Sequence, residues 1–379
     1  MSRSTLFALV LAVVAPLASA QIDETPWHLE VEWELGSEDS GVYFSFPFDL
    51  VIGNDDQIYL SDRREPGITV FTRSGEEVMT IGQEGQGPGE FSEVTSMLAM
   101  PEGGVMVHDR RGGRLSQFDA QGTLMRTIVI PDATPRLLWL AAYHAASDRL
   151  AFVKETVDLD VESPLLYWAD LSSETLGEGV LMPSDYIDLE DPVFAFAGRG
   201  PLAHNAVALN NDNGSLLVYP TYYTGSWAMV DFKNGELQNP RSFAPDPEYA
   251  LKHATKLDIT EEEWRATRDQ YGMVLGSYGR NGVHFADIHN FTSASIVVGS
   301  DHHGIVFTSE ESGMDGQWID VFESSGSLVG RQPLLHELNT LEGGNPMILA
   351  SNGMDEVYFL YYTPDMVPII GRGRLVPQD

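Results

Sequence analysis

Residues 46–91 read FPFDLVIGNDDQIYLSDRREPGITVFTRSGEEVMTIGQEGQGPGEF, and at Phe91 the chain starts again, running FSEVTSMLAMPEGGVMVHDRRGGRLSQFDAQGTLMRTIVI to Ile130. Both copies keep one order: a short apolar strand, a turn, a strand ending in Asp, a loop with two arginines, a strand ending in an aromatic, a turn at Gly, and a last strand. A unit of this size cannot bury its own sheet. It has to stack against copies of itself, so the period sets the architecture before any chemistry is considered.

The residues that carry the repeat also carry a resemblance. Gly85-Gln86-Gly87-Pro88-Gly89-Glu90-Phe91, Ile58-Tyr59-Leu60-Ser61-Asp62 and Ile68-Thr69-Val70-Phe71 resemble the inter-blade junction and two strands of the NHL repeat. The second unit keeps Val105 to Asp109, Arg114 and Gln117-Phe118. Over residues 46 to 130 the resemblance is specific, and beyond that only the strand pattern continues. It implies an all-β, six-bladed β-propeller with four-stranded antiparallel blades.

Each blade can be anchored on its second strand, at Ile58, Val105, Leu150, Leu216, Ile305 and Val357, each preceded by a turn signal. The intervals are 47, 45, 66, 89 and 52 residues, against about 40 to 50 for a four-stranded blade. Six blades result, and the interval of 89 holds an insertion. That insertion, about 245–282, reads as helical. Thr260-Glu261-Glu262-Glu263 is a capping box, and Trp264, Thr267, Arg268 and Tyr271 follow at helical spacing. The last blade lacks a fourth strand at its C-terminal end. Trp27 to Leu35 alternates apolar and polar residues and precedes blade one, so it is expected to pair with the last blade and close the ring.

Residues 1–20 read as a signal peptide: Arg3, an apolar run from Leu6 to Ala15, and Ala18-Ser19-Ala20 as a cleavage site. The domain is then 21–379. No Cys follows for lipidation, and the chain has no Cys at all, so its stability rests on its core and not on disulfides. Periplasmic or secreted location is the expectation. The net charge of -34 repels nucleic acid and anionic membrane. It fits solubility in salty surroundings, and equally ordinary acidic solvation. A monomer without membrane insertion is expected.

Naming the strands A to D from hub to rim, alternation puts the B–C loops and the D-to-next-A links on one face. That face gathers Arg63 and Arg64 from blade one and Arg110 and Arg111 from blade two. Tyr222, Tyr223 and Tyr361 come from blades four and six. Guanidinium donors beside aromatic platforms suit an anionic or sugar-like small molecule, a peptide or an envelope protein. The competing reading is local pairing of each strand-end Asp with a loop Arg.

Other signals have structural readings. Gly82 to Gly89 is glycine-rich like a phosphate loop but has no helix after it, so it reads as the inter-blade turn. Asn210 to Gly214 lacks the distal Glu of a calcium loop and reads as a hairpin turn. His284, His289, His302 and His303 cluster near blade five, with His204 in blade four. Histidines from several blades can meet at a propeller axis. Because some six-bladed relatives of the NHL type are metal-dependent lyases or lactonases, a divalent metal such as Zn or Ca on His204, His289 and His302 is the catalytic alternative. The main expectation is a non-catalytic binding protein with no cofactor.

Overall fold

The computed structural model describes residues 25–38, 40–129, 138–154, 164–173, 175–185, 205–210, 214–220, 227–243, 294–298, 302–309, 316–323, 328–341 and 344–378. The expected signal peptide and the helical insertion at 245–282 lie outside the described residues.

The regular secondary structure of the described residues is all strand apart from two short 3-10 turns. It begins with β1 (Trp27–Leu35). Blade one follows as β2 (Pro47–Ile52), β3 (Gln57–Asp62), β4 (Glu65–Thr72) and β5 (Glu77–Ile81). Blade two is β6 (Val94–Ala99), β7 (Val105–Asp109), β8 (Arg114–Phe118) and β9 (Leu124–Val129). Blade three is β10 (Leu138–His144), β11 (Arg149–Lys154), β12 (Leu166–Asp170) and the two-residue β13 (Thr175–Leu176). Blade four is β14 (Asn205–Asn210), β15 (Ser215–Pro220), β16 (Trp227–Lys233) and β17 (Glu236–Phe243). Blade five is β18 (Ala294–Val298), β19 (His302–Ser309), β20 (Gly316–Glu323) and β21 (Leu328–Leu335). Blade six contributes β22 (Met347–Ser351), β23 (Val357–Tyr362) and β24 (Pro368–Pro377).

Within each blade the strands pair antiparallel in chain order. In blade six the strand beyond β24 is β1, antiparallel and registered from Trp27 opposite Pro377 to Leu35 opposite Ile370. One feature was not legible in the sequence: the start of β1 also pairs parallel with β21, Trp27 with Leu334 and His28 with Leu335, so blades five and six share a continuous sheet. The first strands touch in cyclic order, β2 to β6, β10, β14, β18, β22 and back to β2. They form the hub.

The apolar core is distributed between blades. Among the described residues it falls into six clusters, each at the junction of two neighbouring blades. Tyr59, Val70 and Phe91 meet Met97 and Val107 between blades one and two. Leu50, Leu60 and Phe71 meet Tyr358 and Ile370 between blades six and one. The other four junctions follow the same pattern. Each blade thus buries both faces against its neighbours, with about 1.5 to 3 kcal/mol for each fully buried large side chain.

Polar contacts reinforce these junctions on the face with the A–B turns. Arg126 on β9 grips Asp148 of blade three with two bonds of 2.6 and 2.8 Å. Asp55 accepts both the Tyr59 hydroxyl and the Gly104 amide of blade two, each at 2.7 Å. The Gly82–Gly89 segment is an inter-blade turn. Gly82 has φ +77°, and a Cβ there would collide with the Phe91 ring. The Glu90 carboxylate, not a foreign anion, accepts the Gly87 amide at 2.8 Å.

Candidate functional site

The strand-end carboxylates come first, because they decide what the loop arginines are free to do. Asp62 at the end of β3 accepts the amides of Ser45 and Phe46, at 2.7 and 2.8 Å, and that of Arg64 at 2.9 Å. Asp109 at the end of β7 accepts the amides of Ser92, Glu93 and Gly112. Its other oxygen meets Arg114 at 3.2 Å. These carboxylates therefore tie each incoming link and B–C loop together. The guanidinium that Asp109 pairs with is the strand arginine, not either of the two loop arginines.

The loop arginines are released from that task. Arg64 and Arg110 are exposed, with no ion pair among the described residues. Arg111 reaches Glu93 at 2.8 Å but keeps 74 % of its side-chain surface, a pairing worth about 0 to 1 kcal/mol. Arg63 differs. Its guanidinium carbon lies over the Phe48 ring, 3.6 Å from the centroid, and 5.7 Å from that of Phe46.

Phe48 reaches this position through a bulge. The β2–β3 register slips between Pro47 and Asp49, so Phe48 leaves the regular alternation. Its ring meets Trp139 of β10 at 5.7 Å between centroids and 45°. Since β6 stands between β2 and β10 at the hub, these two rings join across the start of blade two. Arg63, Phe48 and Trp139 therefore form one platform at the mouth of the hub, on the face of the B–C loops.

Inside the mouth, the first strands have no further strand on their inner edge, so their inward amides need other acceptors. Asp49 Oδ2 accepts the Met97 amide at 2.7 Å, and Ser96 Oγ accepts the Leu140 amide at 3.2 Å. Asp49 and Ser96 hold equivalent positions, opposite Ser61 and His108. Loss of hydration pushes the Asp49 carboxyl up to about 6, against the opposing pull of the Met97 and Leu50 amides. Within blade two, the Thr95 hydroxyl lies 2.9 Å from His108 Nδ1 in a buried pair.

The remaining expected site residues do not join this platform. Tyr361 is a correction: it is 6 % exposed, packed in the core between blades five and six. Its hydroxyl donates to Glu34 of β1 at 2.7 Å, and burial pushes its pKa up. Its ring follows the inward alternation of β23 and serves the core, so no open surface is left for a ligand. His302 opens β19 and is exposed, opposite Glu323. The start of a B strand is on the A–B face, away from the B–C loops. Tyr222, Tyr223, His204 and His289 lie outside the described residues. Among the described residues no three His, Asp or Glu side chains group to hold a metal. Phe48, Trp139 and Asp49 carry no motif that marks them in the sequence. The only signal for them was position, since all three stand where the A strands enter the hub.

No curated protein sequence matches this chain. In solved structures it is similar to a member of the DUF4221 family from Bacteroides vulgatus, with a TM-score of 0.56 and 11 % identity over 94 % of this chain and 100 % of that one. It is also similar to a protein described as exported from Bacteroides fragilis, with a TM-score of 0.55 and 12 % identity over 95 % and 98 %. At such identities the likeness shows the fold alone. The model of the DUF5128 family, described as a 6-bladed beta-propeller, matches residues 48–279, more than half of the sequence. The chain belongs to the DUF5128 family of six-bladed β-propellers.

Proposed function

We propose that this protein is an exported, non-catalytic propeller. It binds a small anionic or sugar-like ligand, or a peptide or envelope protein displaying such a group, on the face of the B–C loops. The observation that carries this reading is the platform of Arg63 on Phe48, with Trp139 joined to it at the hub mouth. An aromatic face accepts the C–H side of a sugar or an apolar stem. A guanidinium on the same surface supplies paired donors to a carboxylate. Arg64 and Arg110, free of ion pairs among the described residues, extend the donor surface into two adjacent blades.

Export rests on the pattern of residues 1–20 and on the description of the Bacteroides fragilis protein as exported. The finer architecture belongs to the same reading. The repeat is of the NHL kind, β1 closes the ring as the outer strand of blade six, and a helical excursion over about 245–282 shares the binding face. The pairing of β1 with β24 supports the second of these. The protein works as a monomer without cofactor, nucleic acid or membrane insertion.

A thermal-shift screen of sugar acids, neutral sugars and short acidic peptides tests the proposal. Hits should raise the melting temperature of the wild type, weaken with added salt, and leave an Arg63→Ala/Arg110→Ala variant unshifted. Hits that shift the variant as strongly as the wild type would remove this face from consideration.

A further inference from the structure

Among the described arginines, only Arg63, Arg64 and Arg110 have no carboxylate partner. All three lie in the B–C loops of blades one and two. With 56 acidic side chains against 22 basic ones, pairing is the rule in this chain, and these three are the exception. The same face also carries an apolar band that runs up to them.

The band starts in blade six. Its B–C loop is a tight turn: the Thr363 carbonyl accepts the Met366 amide at 2.8 Å, and the Thr363 amide donates to the Val367 carbonyl at 3.0 Å. Met366 stands there at φ +63°, a backbone that suits Gly or Asn and not a long apolar side chain. It is 62 % exposed, with Val367 exposed beside it. Leu341, in the link from blade five, is exposed too, and its amide donates to the carbonyl of Tyr362, the residue before this turn, at 2.7 Å. On the other side, the link from β1 to β2 leaves with Gly36 packed against Pro368, the residue after Val367. In that link Val42 and Phe44 turn into the core between blades six and one, and Tyr43 between them points out, 68 % exposed. The link ends at the exposed Phe46, whose carbonyl accepts the Arg63 amide at 2.9 Å and whose ring lies 5.7 Å from the Arg63 guanidinium. Leu341, Met366, Val367, Tyr43 and Phe46 thus follow one another from blade six to the arginines.

Single exposed apolar side chains are ordinary. A contiguous band marks an interaction surface. Its two ends differ in charge: Asp365, exposed beside Met366, stands at one, and the three unpaired guanidinium groups stand at the other. A chain laid along the band is matched when its apolar side chains cover blade six and its carboxylates reach the arginines. A uniformly acidic partner is repelled by the rest of the surface, so its acids belong in one cluster. A single sugar unit covers the Phe48–Trp139 platform and leaves the band open. We infer that the B–C face docks a partner protein through a segment whose apolar side chains lie on Leu341, Met366, Val367 and Tyr43 and whose clustered carboxylates meet Arg63, Arg64 and Arg110. This rests on the reading of the B–C face as an anion-binding surface, and it chooses a protein among the ligands of that face.

The test uses the full mature chain and three capped octapeptides, each made in both chain directions. The first is Leu-Ser-Leu-Ser-Leu-Gly-Asp-Asp, whose leucines share one side of an extended chain. The second has Ser for every Leu, and the third has Lys for both Asp. They are titrated by NMR into wild type, Met366→Asn/Leu341→Ser and Arg63→Ala/Arg110→Ala. Asparagine suits the backbone at 366, and melting curves verify that each variant is folded. Wild type should bind the leucine peptide at least about tenfold more tightly than the serine peptide, near 1.4 kcal/mol. Met366→Asn/Leu341→Ser should remove that preference and leave the serine peptide unchanged. Arg63→Ala/Arg110→Ala should weaken both acidic peptides, and the lysine peptide should bind wild type least. Equal binding of the leucine and serine peptides to wild type would overturn the docking band while the anion-binding face stands. A leucine peptide lost in the blade-six variant but indifferent to the arginine variant would overturn the anion-binding face, and with it the acidic partner, while the band stands. Binding of none would overturn both. A galacturonate trisaccharide that binds more tightly than the leucine peptide and ignores the blade-six variant would assign the face to a glycan. Sedimentation showing a wild-type dimer that the blade-six variant separates would assign the band to a second copy of this chain. Either result would overturn the partner protein.

Discussion

The Arg63 guanidinium stacks 3.6 Å from the centre of the Phe48 ring, on a loop whose strand-end carboxylate, Asp62, is fully engaged with backbone amides. Such a contact at an exposed site contributes about 0.5 to 1 kcal/mol. Arg63→Ala should therefore lower the melting temperature by no more than about 4 °C. A much larger drop in calorimetry would make Arg63 a structural residue and leave the platform without a donor reserved for a ligand.

The pairing of β1 with β24 makes a separate prediction. Leu29 and Leu35 are buried in the core clusters on either side of blade six, and the Trp33 indole donates to the Arg73 carbonyl of blade one at 3.0 Å. Deleting residues 21–36 exposes the edge of β24 and opens both junctions. The melting temperature should fall by more than about 10 °C, since each kcal/mol lost is worth about 2 to 4 °C in a domain of this class. An unchanged melting curve would contradict the assignment of β1 as a member of blade six.

Blade five contains a buried ion pair, Arg331 Nε to Asp320 Oδ1 at 2.6 Å and Nη2 to Oδ2 at 2.7 Å, with both side chains almost fully enclosed. Removing one partner leaves the other charge stranded. Asp320→Ala should cost about 3 to 5 kcal/mol, and the paired change Asp320→Leu/Arg331→Met much less. Urea unfolding of both variants measures this. Equal losses would show that the pair is not the source of the cost.

The six blades and their four-stranded sheets could be read because they depend on local alternation and on a repeat of about 45 residues. The six second strands, from Gln57–Asp62 to Val357–Tyr362, are each marked by a turn followed by an apolar run. The structural role of Asp62 and Asp109 was also open to inference, as residues ending equivalent strands. The hub mouth was not legible. Phe48 sits in an apolar strand and reads as core. Only the slip of register between Pro47 and Asp49 turns it toward Trp139, two blades away. A bulge leaves no mark in composition, and a contact across the hub has no period. Tyr361 failed for the converse reason: an aromatic at a strand end looks like a platform, but its neighbours in β23 and Glu34 draw it into the core.

Two shifted groups, the half-buried Asp49 and the buried His303, should shape the pH profile in opposite directions. Asp49 is raised to about 6 in the folded protein from 3.8. Its contribution to stability is therefore fully present below 3.8 and lost as the pH rises through 6. Asp49→Asn should be more stable than wild type at pH 8, with the difference vanishing near pH 4. His303 is pushed down from 6.5 to about 4, chiefly by burial with a smaller push from His302. Neither ring nitrogen has a hydrogen-bond partner among the described residues, and the ring is enclosed by Trp227 and Phe322. Its contribution is present above 6.5 and lost as the pH falls toward 4. His303→Phe should hold its melting temperature between pH 6.5 and 4.5, where the wild type declines. Parallel melting curves for wild type and variant across either window would contradict the corresponding assignment.

The proposed ligand rests on Phe48 and Trp139 at the mouth of the hub. The most direct measurement is calorimetric titration of the best ligand from the screen into wild type, Phe48→Ala, Trp139→Ala and, as a control on the opposite face, Arg126→Ala. The control breaks the Arg126–Asp148 contact between blades two and three without touching the mouth. Binding should be at least about tenfold weaker, near 1.4 kcal/mol, for each aromatic variant that remains folded, and affinity should be unchanged for Arg126→Ala. Wild-type affinity in folded Phe48→Ala and Trp139→Ala would contradict that placement.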